Sequence, residues 1–313
     1  MKDSKTIDMR IRPRTLTGRV AAVPSKSGVH RLLICAALAD GPTELRISTL
    51  SEDTRATMGC LGALGAGISW QDGVCHIIPC RGKVTQKSRL RCVESGSTLR
   101  FLLPVAAALG AQAAFEGEGR LPQRPLGPLL AAMEENGCRF MGTGLPLRLE
   151  GALRPGTYIL PGDVSSQFVS GLLMALPLLP GESEIALTGP LESGPYVDMT
   201  IQALARFGVT VIATEKGFRV PGNQRFASPG ELSAEGDWSN AAFFLCAGAL
   251  GGPVACTGLA TDSLQGDKEI VTLLRRFGAQ SRLPGRFALR EQQVGQRLDV
   301  LVALVVQQLE DAQ

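Results

Sequence analysis

Two series of landmarks recur along this chain with one shared spacing. Amphipathic stretches at 53–64, 128–136, 198–207 and 268–277 are each followed by glycine, at Gly65, Gly137, Gly208 and Gly278. Those glycines stand 72, 71 and 70 residues apart (137−65, 208−137, 278−208). Glycine just past a helix is the expected left-handed cap. Strongly apolar helices begin at Ser25-Lys26-Ser27, Ser95-Gly96-Ser97, Ser165-Ser166-Gln167 and Asp237-Trp238-Ser239. The first three starts are 70 apart and the fourth lies 72 further on (95−25, 165−95, 237−165). Strand-like runs at 43–50, 113–118, 182–188 and 254–259 separate the two helices of each copy. Hairpin patterns follow the second helix, turning at Asp72-Gly73 in the first copy and near Lys216-Gly217 in the third. Each copy of about 70 residues therefore reads strand, helix, strand, helix, strand, strand.

Strand–helix–strand halves of this kind predict parallel pairing with right-handed crossovers, hence an α/β fold. The length, 313 residues, has room for two domains. Residues 298–309 read as the first helix of a fifth copy, and nothing follows them. Arrays of repeats need closed ends, because a half-unit leaves an apolar face uncovered. The sequence is therefore expected to be truncated at its C-terminal side.

Charge excludes some functions. Thirty-two Lys and Arg against 29 Asp and Glu leave +3, no footprint for nucleic acid. The eight cysteines form no Cys-x-x-Cys pair, and with two histidines, His30 and His76, no zinc constellation arises. Cysteines in apolar stretches read as buried thiols, which points to the cytoplasm. No apolar run reaches the 18 or so residues needed to span a bilayer, and the first residues are no signal peptide. No metal or cofactor is expected.

The helix starts carry the chemistry. Small hydroxyl residues cap orphan backbone N–H groups, and the same groups with the helix dipole make an anion seat. The first start adds Lys26, Ser27 and Arg31, the second Gly96 and Arg100, and the third Ser165, Ser166 and Gln167. A single such start is equally an ordinary capped core helix; three around an approximate threefold axis would converge on one spot suited to a phosphate ester. Arg124, Ser193 and Tyr196 precede or open the second helices of their units.

Pro24-Ser25-Lys26-Ser27 with Arg31, Glu94-Ser95-Gly96-Ser97-Thr98-Leu99-Arg100, Arg124-Pro125-Leu126, Ser165-Ser166-Gln167-Phe168, Gly194-Pro195-Tyr196-Val197-Asp198 and Glu235-Gly236-Asp237 together resemble the 5-enolpyruvylshikimate-3-phosphate (EPSP) synthase family. The resemblance runs in order from about residue 17 to residue 278. It implies a two-domain inside-out α/β fold of βαβαββ repeats, with residues 18–226 as the complete three-repeat domain on the shikimate 3-phosphate side. Residues 1–17 and 227–313 would form a partner domain lacking its last one and a half repeats.

The activity it implies is transfer of the enolpyruvyl group of phosphoenolpyruvate to the 5-hydroxyl of shikimate 3-phosphate, releasing phosphate. Lys26 would touch both substrates, while Ser27 and Arg31 hold the shikimate moiety. Ser165, Ser166, Ser193 and Tyr196 would surround its 3-phosphate side, and Gly96, Arg124 and Gln167 would meet phosphoenolpyruvate. Asp299 matches the family's catalytic base by position, although Arg297 and Leu298 depart from the pattern, and the later acid and cation motifs have no counterpart. The partners implied are the two substrates alone, with a monomer at full length and a cytoplasmic place in the shikimate pathway. These 313 residues alone are expected to show no useful turnover. Two other readings remain: an inactive remnant that only binds shikimate 3-phosphate, and the sister transferase acting on UDP-N-acetylglucosamine, whose loop cysteine is not found here.

Overall fold

A computed structural model describes residues 14–80, 87–282 and 302–305. The first copy of the repeat holds β1 (Gly18–Ala21), α1 (Lys26–Ala37), β2 (Thr43–Arg46), α2 (Glu52–Ala63), β3 (Gly67–Gln71) and β4 (Val74–Ile78). The second holds β5 (Ser88–Arg91), α3 (Gly96–Ala108), β6 (Ala113–Glu116), α4 (Gly127–Glu135), β7 (Cys138–Met141) and β8 (Leu147–Gly151). The third holds β9 (Thr157–Leu160), α5 (Ser166–Ala175), β10 (Ser183–Leu187), α6 (Gly194–Arg206), β11 (Ile212–Thr214) and β12 (Gly217–Val220). The fourth holds β13 (Glu231–Ser233), α7 (Trp238–Gly251), β14 (Val254–Thr257), α8 (Ile270–Arg276), β15 (Gln280–Arg282) and β16 (Val302–Val305).

The predicted starts are side-chain caps. Ser25 Oγ accepts from Gly28 N, Ser95 Oγ from Thr98 N, and Ser165 Oγ from Gln167 N. Each bond satisfies one donor that the helix cannot. The four predicted terminal glycines all adopt positive φ, between 74° and 102°. Helices α1, α3 and α5 are apolar almost all round because they are enclosed; every residue from Val29 to Ala37 is buried. Gly171 lets α5 lie against α3, since a Cβ there would collide with the carbonyl of Arg100.

All four sheets share one pattern, a parallel pair followed by an antiparallel hairpin. Their orders are β5-β6-β8-β7, β9-β10-β12-β11, β13-β2-β4-β3 and β1-β14-β16-β15. In the second and third copies the parallel partners are neighbours in sequence, as predicted. In the first and fourth they are exchanged. β1 pairs with β14, not β2, and β13 pairs with β2, Glu231 opposite Glu44. The segments where the chain crosses over run antiparallel: Ser25 N donates to Glu235 O at 2.8 Å, and Asp237 N to Val23 O at 2.8 Å.

Two compact units result. The larger is Val23–Asp237 with Asp262–Gly266; the smaller takes the remaining described residues before 23 and after 237. The strand exchange puts β1 in the smaller unit and β13 in the larger, so the chain crosses five and eleven residues later than the boundaries expected at 17 and 226 (22−17, 237−226). The larger unit has one continuous core, from Val29 and Leu33 through Phe101, Phe115 and Tyr158 to Phe226. The smaller is built on Trp238, Leu245, Cys256 and Val271.

One prediction is corrected. Residues 298–309 were expected to open a fifth copy as a helix, but Val302–Val305 is the strand β16, antiparallel to both β14 and β15. The short apolar run Val-Ala-Leu-Val fits either period; pairing with the free edge of β14 decides it. The fourth sheet thereby completes the pattern of the other three.

Candidate functional site

Every predicted seat residue except Asp299 lies in the larger unit. Asp299 falls outside the described residues.

The starts of α3 and α5 meet directly. Gln167 Nε2 donates to Ser97 Oγ at 3.0 Å, and Gln167 Oε1 accepts from Arg100 Nη1 at 2.7 Å. Arg100 Nη2 reaches the carbonyl of Pro125 at 3.3 Å, and its guanidinium lies 5.5 Å from the Phe168 ring centroid. Arg124 is exposed beside it. A Cβ placed on Gly96 would stand 2.8 Å from Arg124 Nη1, 3.4 Å from Arg100 Nη1 and 3.8 Å from Gln167 Oε1. Gly96 therefore gives its bare backbone to a spot ringed by two guanidiniums and a carboxamide. Neither arginine pairs with a carboxylate among the described residues. Burial, and then the charge of Arg124, hold the Arg100 guanidinium below its ordinary pKa. An anion arriving there would relieve that repulsion. The turn before the Ser95 cap carries strain, because β-branched Val93 sits at φ 53°, in the left-handed region.

The start of α1 joins the same cluster through an acid that the sequence reading did not assign. Lys26 Nζ lies 2.9 Å from Asp53 Oδ2 on α2, while the Asp53 carbonyl faces Thr98 Oγ1 on α3 at 3.3 Å. A second carboxylate, Asp237, takes the first N–H of α1, that of Lys26, at 3.2 Å. The dipole that would draw an anion to this helix is thus partly answered by the protein itself.

Arg31 is placed differently from its neighbours. It is 2% exposed, and its donors go to Thr200 Oγ1 (2.7 Å), Ser27 O (2.6 Å), Ser170 Oγ (3.4 Å) and Tyr196 O (2.7 Å). Its guanidinium also lies 5.0 Å from the Phe101 ring centroid. Burial pushes its pKa down to about 10. Arg31 ties α1 to α5 and α6, and it takes up the backbones of Ser27 and Tyr196 in doing so. Ser165 and Ser166 stand half-buried at the start of α5. Ser193 is exposed in the left-handed region at φ 57°, and its side chain makes no capping bond to α6. Among the described residues no group of His, Cys, Asp and Glu could hold a metal ion, and no helix is long and apolar enough to cross a membrane.

A sequence profile described as EPSP synthase (3-phosphoshikimate 1-carboxyvinyltransferase) matches residues 11–308. The chain belongs to the EPSP synthase family. The 3-phosphoshikimate 1-carboxyvinyltransferase of Clostridium kluyveri is 44% identical over 273 residues, covering 86% of this chain and 64% of that protein. The protein of the same name in Clostridium botulinum strain Alaska E43 is 42% identical over 276 residues, again 86% and 64%. The chain thus spans just under two thirds of these family members. EPSP synthase from Acinetobacter baumannii superposes with a TM-score of 0.73 at 19% identity, over 93% of this chain and 65% of the other. At that identity the likeness concerns the fold, which is the inside-out α/β arrangement of the family.

Proposed function

We propose that the chain carries the substrate seats of an EPSP synthase. It would bring phosphoenolpyruvate to shikimate 3-phosphate and transfer the enolpyruvyl group to the 5-hydroxyl. The observation that carries this reading is the ring of side chains around Gly96: backbone N–H at a helix start, with Arg100 and Arg124 lacking any carboxylate partner among the described residues. Phosphoenolpyruvate, with a phosphate and a carboxylate, has the charge to fill it. Shikimate 3-phosphate would lie between the starts of α1, α5 and α6, its phosphate toward Ser165, Ser166, Ser193 and Tyr196. Lys26 stands within the same cluster and would face both substrates once it leaves Asp53. Both substrates are anions, so the cations and helix ends offset their repulsion and hold the hydroxyl against the enol carbon.

In the chemical step the 5-oxygen forms a bond to the enol carbon, its proton passes to a base, and the methylene carbon gains a proton. Loss of phosphate from the tetrahedral adduct, with return of a methyl proton, restores the enol. Asp299 is the proposed base. The larger unit is the shikimate 3-phosphate side of the enzyme, and the enzyme a cytoplasmic monomer. The thiols, all free, suit a reducing compartment.

Calorimetry with shikimate 3-phosphate tests this reading. Binding of shikimate 3-phosphate with one site per chain is expected. A chain that is folded by circular dichroism and gives no heat at millimolar ligand would overturn the reading.

A further inference from the structure

Beneath the Lys26–Asp53 pair lies a second polar layer that the proposed substrate contacts do not use. His30 follows Lys26 by one turn on α1, Thr57 follows Asp53 by one turn on α2, and Thr98 belongs to the first turn of α3. All three are buried, at 0% exposure for His30 and Thr57. His30 Nδ1 lies 2.8 Å from Thr57 Oγ1, and Thr57 Oγ1 lies 2.7 Å from Thr98 Oγ1. Thr98 Oγ1 lies 2.7 Å from Ser95 Oγ and 3.3 Å from the Asp53 carbonyl. One chain of hydrogen bonds thus crosses three helices. The other ring nitrogen, Nε2, is buried with no partner among the described residues.

The direction of that chain follows from what each atom can do. The Asp53 carbonyl can only accept, and the one side-chain proton facing it belongs to Thr98. If Nδ1 carries the imidazole proton, His30 donates to Thr57, Thr57 to Thr98, and Thr98 shares its one proton between Ser95 Oγ and the Asp53 carbonyl. If Nε2 carries it, every hydroxyl must turn round. The Asp53 carbonyl then loses its side-chain donor and keeps only its helical one, and an N–H is buried without a partner, with the Phe101 ring centroid 6.3 Å from that of the imidazole. Stranded buried N–H groups are rarer than unfilled lone pairs. Desolvation keeps the ring neutral in either case.

We infer that His30, as the Nδ1–H tautomer, is a positioning residue: through Thr57 and Thr98 it fixes the Asp53 backbone and the Ser95 cap, and so the places of Lys26 and Gly96. The inference rests on the reading of Lys26 and Gly96 as substrate contacts. Each end of the chain is one bond from such a group. Asp53 holds the Lys26 ammonium, and Ser95 caps the helix whose first residue is Gly96.

Two measurements test it. The chain has only two histidines, so 15N spectra of the imidazole nitrogens of wild type and His76→Gln identify His30 at neutral pH. The expected pattern is a protonated Nδ1 and a bare Nε2; the reverse pattern overturns the inference whatever any variant does. Calorimetry with shikimate 3-phosphate then compares Thr57→Val, which keeps shape and loses the hydroxyl, with Thr57→Ser, which keeps the hydroxyl. Affinity is expected to fall at least fivefold in Thr57→Val and to return to within twofold of wild type in Thr57→Ser. Equal affinity of folded Thr57→Val and wild type overturns the positioning role. If Thr57→Val does not fold, the spectra of the wild type decide. Failure of the wild type itself to bind shikimate 3-phosphate is a different result, and it removes the proposed function instead.

Discussion

The carboxamide of Gln167 holds the guanidinium of Arg100 at 2.7 Å across the starts of α5 and α3, without neutralising it. A carboxylate in that place would do the same mechanical work and cancel the charge. Choosing an amide keeps the ring around Gly96 positive while still tying two repeats together, since the same side chain donates to Ser97.

Gln167→Glu separates those two roles. The variant keeps an acceptor for Arg100 and shape for the α3–α5 contact, so unfolding by urea is expected to be unchanged or slightly harder. Affinity for phosphoenolpyruvate should fall at least tenfold, about 1.4 kcal/mol, because a buried anion would find its counter-charge already taken. Unaltered affinity in calorimetry would show that the ring around Gly96 is not the anion seat.

Lys26→Ala is the complementary change. Its bond to Asp53 is half in solvent, with side-chain exposures of 50% and 33%, and such pairs contribute about 0–1 kcal/mol to stability. The melting temperature should therefore move little. A charge-assisted contact to substrate is worth about 1.5–3 kcal/mol, so affinity for shikimate 3-phosphate should drop at least tenfold. Equal heats for wild type and variant would remove Lys26 from the site.

Gly96→Ala acts through one contact. The new methyl would sit 2.8 Å from Arg124 Nη1, the far end of an exposed arm that can swing away. Alanine is the better helix former at the head of α3, so stability should hold or rise by a few tenths of a kcal/mol. Phosphoenolpyruvate should bind more weakly as Arg124 is displaced, while shikimate 3-phosphate binds within about twofold of wild type. Loss of both ligands together in calorimetry would mean that the two seats are not distinct.

The period was legible because its markers are local. A serine before an apolar helix and a glycine after an amphipathic one are chosen by single-residue geometry, and Ser25, Ser95, Ser165, Gly65, Gly137 and Gly208 all serve as read. The exchange of β1 and β13 was not. Gly-Arg-Val-Ala and Glu-Leu-Ser read as edge-like strands wherever they pair, and nothing in three or four residues names a partner 236 or 187 positions away (254−18, 231−44). The same limit applies to Arg31. Its charge is plain in the sequence, but Thr200 and Ser170, which absorb its donors, come from a different repeat. Asp53 stood only at the head of the amphipathic stretch 53–64 and was left without a role, because only the fold sets it against Lys26. The helix expected over 298–309 went wrong because the apolar run inside that stretch fits either period, and only pairing with β14 and β15 makes Val302–Val305 a strand.

His30 gives the fold an acid weakness that can be measured by itself. Burial pushes the pKa of its imidazole from 6.5 down to about 3, against a smaller opposing pull from Asp53. In the unfolded chain the same group titrates near 6.5, so between pH 6.5 and about 3 the unfolded state binds the extra proton. Stability then rises with pH across that window and is lost as the solution is acidified through it, by at most about 1.4 kcal/mol per pH unit from this one group. Carboxylates with depressed pKa, such as Asp40 bonded to the Ser228 backbone N–H, tilt the curve the same way, so the wild-type slope alone proves nothing. The difference between two proteins isolates the imidazole. His30→Asn places an amide where Nδ1 lies, can still donate to Thr57, and does not titrate. Urea midpoints taken at intervals from pH 7 to pH 4 should converge as pH falls, the variant losing less than the wild type at every step below 6.5. Parallel curves for the two proteins would mean that the native imidazole takes up its proton as readily as the unfolded one, and that His30 is not held neutral in the core.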